Sequence, residues 1–146
     1  MRIALGSDHA GFEQKDRLAV ELTEQGHEVI DVGCDNATDS VDYPDYAVAA
    51  CREVTQGSAD YAILVCGTGI GMAMSSNKVA GIRAASATTP QFAQLARAHN
   101  NANVLTLSGR FVDLDTNREN VRVFLTTDYE GDRHQQRLDK IAGLEH

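Results

Sequence analysis

The chain has 146 residues, of which 42% are hydrophobic and 23% are charged, and these are ordinary values for one globular domain with a sizeable core. Its formal net charge of −8 and its lack of tryptophan argue against nucleic acid as a partner, and no stretch approaches the roughly 20 apolar residues that span a membrane. Three cysteines without a Cys-x-x-Cys pair argue against a disulfide framework or a zinc ribbon.

Both ends of the chain bear on processing. The first residues, MRIALGSDHAGF, reach a polar turn too early for a signal peptide, so we expect a cytoplasmic protein. The last three residues, Leu144, Glu145 and His146, fit either native sequence or a cloning remnant.

The first half of the chain predicts two strands and two helices. Residues 2–6 form a short apolar run that indicates a buried strand, and residues 11–25 carry apolar side chains at near-helical spacing before a glycine. Residues 27–32 (HEVIDV) alternate and are rich in β-branched side chains, which favours a second strand. Residues 33–44 are polar and indicate a long loop. Asp45 is expected to cap a helix that ends near residue 56.

The middle of the chain continues the alternation. Residues 60–65 (DYAILV) predict a third, apolar strand, and a helix is expected to start in or just after the following glycine loop and to end near residue 77. Residues 80–86 indicate a fourth strand. Thr89 and Pro90 open a helix that runs to residue 99, because proline is favoured in the first turn. Residues 104–108 (VLTLS) predict the fifth strand.

The C-terminal part is predicted to be helical. Asp113 or Asp115 is expected to cap a helix that ends near residue 125, and residues 130–143 indicate a last helix. Strands and helices alternate throughout, which predicts an α/β fold: a doubly wound, mostly parallel five-stranded, Rossmann-like sheet with helices on both faces. Since no linker or repeat interrupts residues 1–146, we expect a single domain.

A cysteine and three alternating glycines, in LVCGTGIGMA at residues 64–73, form the most informative motif. The spacing fits neither the dinucleotide fingerprint, which follows a first strand, nor the P-loop, which needs Gly-Lys. Bare backbone at a helix start can bind an anion through its amides, and the same field would favour a thiolate on Cys66. Cys66 is therefore a candidate base or nucleophile beside an oxyanion site; alternatively, it is a small buried hydrophobe.

Other polar groups follow the predicted strands. Asp8-His9 follows the first strand and Arg110 the fifth, so in a parallel sheet they would share one edge with Cys66. His99 ends a helix that should reach the opposite edge, so a second subunit would be needed to bring it to Cys66. From Gly67 to Val112 the chain has no Asp or Glu, which could focus positive potential on a small anion or could be chance.

Each of these groups also has a purely structural interpretation. Asp8 could cap the next helix with His9 at the surface, and His99-Asn100 could end a helix. Tyr43 could be a packing residue. Arg133 and Arg137 lie one helical turn apart and could clamp a phosphate, or they could pair with neighbouring aspartates on a solvated face.

Six ordered motifs resemble one known family over essentially the whole chain. They are GSDHAGF, DYPDYA, CGTGIG, NKxxGIRA, ARAHNxANVL and YEGDRHQQR. Together they are similar to the sugar-phosphate isomerases of the ribose-5-phosphate isomerase type B and galactose-6-phosphate isomerase group. The resemblance implies an aldose–ketose isomerase that needs no metal and no organic cofactor. It also implies a homodimer, or a dimer of dimers, with active sites shared between subunits.

The resemblance also assigns roles to residues of this sequence. It implies that Cys66 is the base that moves a proton between C1 and C2, that Thr68 helps to hold the enediolate, and that His99 opens the sugar ring with help from Asp8. The expected substrate-binding residues are His9, Tyr43, Gly67, Gly69, Ile70, Gly71, Asn100, Arg110, Arg133 and Arg137.

The expected substrates are D-ribose 5-phosphate and D-ribulose 5-phosphate. Allose 6-phosphate, galactose 6-phosphate or a tetrulose phosphate are alternatives. A pocket that is longer or shorter by one methylene or hydroxyl group would decide between these substrates. A non-catalytic sugar-phosphate-binding domain is a different class of function, but binding alone does not require a thiolate. A thiol redox protein would be a third class of function. It is disfavoured because no second cysteine lies close to Cys66 in the sequence.

Overall fold

The structure is a computed structural model that describes residues 1–145. His146, part of the possible cloning remnant, lies outside the described residues. Within these residues, five strands and six helices follow one another: β1 (Arg2–Ser7), α1 (Phe12–Glu24), β2 (Glu28–Asp31), α2 (Tyr43–Thr55), β3 (Tyr61–Cys66), α3 (Ile70–Ser76), β4 (Ala84–Ser86), α4 (Pro90–Ala98), β5 (Val104–Ser108), α5 (Leu114–Thr126) and α6 (Arg133–Ala142). Over the described residues, every helix is too short or too polar to cross a bilayer.

All strands pair in parallel in the order β2-β1-β3-β5-β4. The predicted doubly wound α/β sheet is confirmed. The chain winds outward from β1 to β2 and then crosses back to β3 on the other side, so the topology switches direction between β1 and β3. In sheets of this kind, ligands bind in the crevice beyond the carboxyl ends of the strands at such a switch.

The core has one layer on each face of the sheet. Along β3, Ala62, Leu64 and Cys66 pack into the layer under α2 and α3, whereas Ile63 and Val65 pack into the layer under α1, α4 and α5. Side chains alternate along a strand, so a fully buried strand must be apolar on both faces. Each large apolar side chain buried in this way contributes roughly 1.5–3 kcal/mol to stability.

Three predicted boundaries were wrong: the starts of α2, β4 and α6. Helix α2 begins at Tyr43 after the N-cap residue Asp42, not at Asp45, because Pro44 fits the first turn of the helix. Of the strand predicted at residues 80–86, only the last three residues form β4. The chain before them turns tightly, and the Ile82 N–H donates to the carbonyl of Val79 at 3.2 Å.

Helix α6 begins at Arg133 rather than at residue 130. Gly131 and Asp132 both have positive φ, at 70° and 51°, which a right-handed helix excludes. The Glu130 N–H instead donates to the carbonyl of Ala98 at 2.9 Å, which fastens this segment to the end of α4.

Candidate active site

Cys66 ends β3 on the carboxyl edge of the sheet, beside the switch point, and its side chain is 4% exposed. The glycine loop, residues 67–71, follows it. The end of β5 holds this loop through two hydrogen bonds: the Gly109 N–H donates to the carbonyl of Cys66 at 2.8 Å, and Ser108 Oγ donates to the carbonyl of Gly67 at 2.7 Å. The loop is therefore fixed against the central strands.

Gly69 has to be a glycine. Its φ is +81°, and a Cβ there would lie 3.0 Å from the carbonyl carbon of Leu107. Thr106 Oγ1 donates to the Gly69 carbonyl at 2.8 Å, and the Gly69 N–H donates to Cys66 Sγ at 3.2 Å. A donated N–H stabilises negative charge on sulfur.

Three other amides of the glycine loop have no acceptor within the described chain, those of Gly67, Thr68 and Gly71. The Ile70 N–H is already engaged, because it donates to Thr68 Oγ1 at 3.1 Å. Of the predicted anion-binding backbone, the amides of Gly67, Thr68 and Gly71 are therefore free for a ligand. The amides of Gly69 and Ile70 organise the loop itself.

Tyr43 lies directly against the glycine loop. A Cβ on Gly71 would come within 2.5 Å of the Tyr43 ring, so the ring occupies the space that any side chain at Gly71 would need. Tyr43 starts α2 and is 38% exposed. One side of the ring thus packs on the loop and part of the residue is exposed to solvent.

Asp8, His9 and Arg110 lie at the same edge. The Asp8 N–H donates to the carbonyl of Val65 at 3.3 Å, which places the end of β1 next to Cys66. The buried Asp8 carboxylate accepts the Gly11 N–H at 3.0 Å, and His9 Nδ1 accepts the Val41 N–H at 3.2 Å.

Arg110 follows β5 and reaches back to the glycine loop. A Cβ on Gly67 would lie 3.5 Å from Arg110 Nη1, so the guanidinium covers the start of the loop. The Arg110 N–H also donates to the Gly67 carbonyl at 3.2 Å. A cation beside free backbone amides is suited to an anionic ligand.

The remaining predicted site residues lie elsewhere in the chain. His99 and Asn100 end α4 at the amino edge of the sheet, where the Asn103 N–H donates to the carbonyl of Arg83 just before β4. Arg133 and Arg137 are exposed on α6, and neither makes an ion pair within residues 1–145. One chain does not bring these four residues to Cys66, as the predicted topology indicated for His99.

The sequence analysis assigned no role to His134 or Glu130, yet both surround His99. The His134 ring stacks on the His99 ring at a centroid distance of 4.2 Å, and His99 Nε2 lies 3.5 Å from Glu130 Oε2. Burial lowers the pKa of His134, and the neighbouring His99 and Arg133 lower it further. The contact between His99 and His134 spans 35 residues and leaves no local sequence pattern. Arg133 and Arg137, in contrast, could be recognised by their spacing of one helical turn.

Comparison with known proteins identifies the family. The sequence model of the Ribose/Galactose Isomerase family matches residues 3–141. The chain belongs to this family. The isomerase is 44% identical to ribose-5-phosphate isomerase B of Escherichia coli, over 99% of this chain and 96% of that protein.

Solved structures of relatives have the same fold. A ribose-5-phosphate isomerase B from Clostridium thermocellum superimposes with a TM-score of 0.97 at 42% identity, covering 99% of this chain and 97% of that one. A Mycoplasma genitalium ribose-5-phosphate isomerase B with bound ribulose-5-phosphate superimposes with a TM-score of 0.93 at 42% identity, covering 97% and 94%. The predicted family and the assignment as an isomerase are confirmed.

Proposed function

We propose that this isomerase interconverts D-ribose 5-phosphate and D-ribulose 5-phosphate, with Cys66 as the base. The observation that carries the proposal is the Gly69 N–H directed at Cys66 Sγ, next to free amides on the same loop. The relative from Escherichia coli is named for this activity, and the structure of the relative from Mycoplasma genitalium contains ribulose-5-phosphate, both of which support the choice of substrate.

The loop geometry supports a proton transfer between C1 and C2 of the sugar. In the open-chain aldehyde, the Cys66 thiolate takes the proton from C2 and returns it to C1, while a proton moves from the C2 hydroxyl to the C1 oxygen. The carbonyl thereby moves from C1 to C2 through an enediolate. The free amides of Thr68 and Gly71 hold the negative oxygens of that intermediate, which is where fixed donors accelerate a reaction most.

The rest of the site comes from a second copy of the chain in this proposal. His99 of one subunit opens the sugar ring at the Cys66 edge of the other, with Asp8 as its helper, and Asn100 binds substrate oxygens. The phosphate does not react, but its binding energy positions the sugar carbons against the sulfur. The phosphate ligands in this proposal are His9, Arg110, Arg133 and Arg137.

Exposed apolar surface supports a dimer. Ile70 and Met74, on the helix that leaves the glycine loop, are 55% and 66% exposed. A cavity of about 600 Å³ starts at Asn77, just after this helix, and is also lined by Asn100 and by the apolar α6 residues Leu138 and Ile141. An isologous pair would bring α3 of one subunit to α6 of the other, and His99 with it.

Other phosphorylated aldoses and ketoses remain the alternative substrates, as the sequence analysis left them. A redox role has less support, because Cys51 is fully buried and burial raises the pKa of its thiol, and because all three cysteines are free. The cytoplasmic location stays a prediction.

The test is isomerisation of ribose 5-phosphate by the purified protein in EDTA, with Cys66→Ala alongside. The variant should lose about 10²–10⁴-fold in kcat, the usual contribution of a general base, while KM changes little. Cys51→Ala is the matched control, since it removes a buried thiol away from the loop, and it should retain turnover. Undiminished kcat in Cys66→Ala would remove the cysteine from its role. No turnover by the unaltered protein would move the search to other sugar phosphates.

A further inference from the structure

Three side chains with metal-binding atoms meet at the end of α4: His99, Glu130 and His134, here called the histidine cluster. One ligand atom from each lies within 4.8 Å of the others. The cluster is separate from the carboxyl edge of the same chain, and nothing in the chemistry proposed above uses Glu130 or His134.

The backbone holds the cluster together independently of its side chains. The Glu130 N–H donates to the carbonyl of Ala98 at 2.9 Å, which places Glu130 beside the last residue of α4 and next to His99. The His134 N–H donates to the carbonyl of Gly131 at 3.1 Å, so His134 begins α6 directly below. His134 is 9% exposed, whereas the His99 side chain is 36% exposed and has room to turn.

The distances suit a first-row transition metal. Bonds of about 2.0–2.1 Å at tetrahedral angles hold two ligand atoms about 3.3 Å apart, and His99 Nε2 lies 3.5 Å from Glu130 Oε2. The two imidazoles stack with only 16° between their planes, so their lone pairs lie in two nearly parallel planes and do not converge on one ion. One ring must therefore rotate on binding, and the partly exposed His99 is the ring that can.

We propose that the histidine cluster is a binding site for zinc or a similar divalent transition metal, and that a bound ion withdraws His99 from ring opening. The second clause rests on the proposed function. Two imidazoles and one carboxylate are the donors of many zinc sites. The positive charges of Arg133 and Arg137 lie close enough to repel a cation at the histidine cluster. Ions held mainly by charge, such as Mg²⁺ and Ca²⁺, are therefore disfavoured there relative to ions that bond to imidazole nitrogen.

The binding test uses Co²⁺, whose visible d–d absorption reports its ligands. The EDTA-treated and desalted protein should bind one Co²⁺ per chain in a tetrahedral or five-coordinate environment, and Zn²⁺ should displace it. His134→Gln and Glu130→Gln should each weaken binding by at least about 10- to 100-fold, the loss that removing even an outer ligand partner causes. Cys66→Ala and His27→Gln are the controls for the other thiol and imidazole donors, and both should bind as the unaltered protein does.

Absence of the d–d bands from the unaltered protein would overturn the site. Bands in His134→Gln and Glu130→Gln that are as strong as those of the unaltered protein would also overturn it. Melting curves of the two variants without metal check that they are folded, and the two independent positions guard against one failing variant. Bands lost only in Cys66→Ala would place the ion on the thiolate and would equally overturn it.

The activity test separates this inference from the proposed function. Turnover of ribose 5-phosphate by the metal-free protein, in buffer without a chelator, should fall as Zn²⁺ is added, along the occupancy curve from the Co²⁺ competition. An excess of EDTA should restore it. Occupancy without inhibition would overturn the withdrawal of His99. If the metal-free protein turned over no ribose 5-phosphate yet bound Co²⁺ through His134, the proposed function would fail while the site stood.

Discussion

Arg137 shows what a single unpaired charge can contribute. It is exposed on α6, and its Nη1 donates to the carbonyl of Arg133 at 2.8 Å, so the two arginines stay side by side. Among residues 1–145, neither has a carboxylate partner. Arg122, on α5, is also exposed but pairs with Glu119. An arginine without a carboxylate partner retains its charge for a ligand.

We therefore expect Arg137→Ala to raise the KM for ribose 5-phosphate by about 10- to 100-fold, because a charge-assisted hydrogen bond is worth about 1.5–3 kcal/mol. The kcat should change less, since the phosphate does not react. Steady-state kinetics measure both, and Arg122→Ala is the matched control that should leave them unchanged. Equal kinetics for the two variants would contradict a phosphate clamp on α6.

Gly71 and Tyr43 form a pair in which each residue limits the other. An alanine at position 71 would place its Cβ 2.5 Å from the Tyr43 ring, and because Tyr43 is 38% exposed, the ring can swing away. Gly71→Ala should thus move the ring at little cost in stability and raise KM much as Tyr43→Ala does.

The double variant provides the check on this coupling. Residues that act through one contact give non-additive effects, so Gly71→Ala combined with Tyr43→Ala should be little worse than either change alone. Kinetics of the three variants, with melting temperatures as the control for folding, test this. Fully additive losses would mean that Gly71 acts on the substrate and not through the ring.

At the scale of elements, α5 supports the glycine loop at the carboxyl edge of the sheet. Asn117 Nδ2 donates to the carbonyl of Ser108 at 2.8 Å, and Ser108 in turn holds Gly67. The start of α5 is fixed by Asp113, whose carboxylate accepts the Thr116 N–H at 2.7 Å. This N-cap was one of two that the sequence predicted, and the structure selects Asp113 over Asp115.

The cap makes stability depend on pH. The hydrogen bond from Thr116 lowers the pKa of Asp113 below its usual value of 3.8. The contribution of the charged cap is therefore complete above that value and is lost as the pH falls through the lower folded-state pKa. Asp113→Ala should lower Tm by a few degrees at pH 7, and the difference should shrink at pH 3.

Asp113→Asn is the control, because asparagine caps a helix without ionising. Its Tm should stay near that of the unaltered protein at pH 7 and should lack the acid-dependent loss at this position. Calorimetry at the two pH values measures all three proteins. A deficit for Asp113→Ala that is the same at both pH values would contradict a contribution from the charge.

Element types were more predictable than element ends. Strand β5 (Val104–Ser108) matches its prediction at both ends because every residue in it is buried, so the apolar run and the strand coincide. The start of α2 and the length of β4 were wrong because they depend on turns, which propensity describes poorly. Cys66, Asp8 and Arg110 could be grouped from strand ends alone, whereas the contact of His99 with His134 depends on how α4 and α6 pack.

For the whole molecule, the separation of Cys66 from His99 decides what a functional unit is. The two residues lie at opposite edges of one sheet, so a site that uses both needs two subunits. The sequence predicted this separation from connectivity alone, since α4 runs antiparallel to the strands it joins. The requirement can be tested with two variants that are inactive for different reasons.

Cys66→Ala and His99→Asn should each be nearly inactive alone. When the two are mixed after dissociation and reassociation, half of the dimers are mixed on random pairing, and each mixed dimer holds one site with both Cys66 and His99. Activity should therefore recover to about one quarter of that of the unaltered protein per site. A site built within one chain would give no recovery, because every chain in the mixture carries one of the two lesions. Mixing each variant with itself is the control, and size-exclusion chromatography with light scattering verifies that dimers have re-formed.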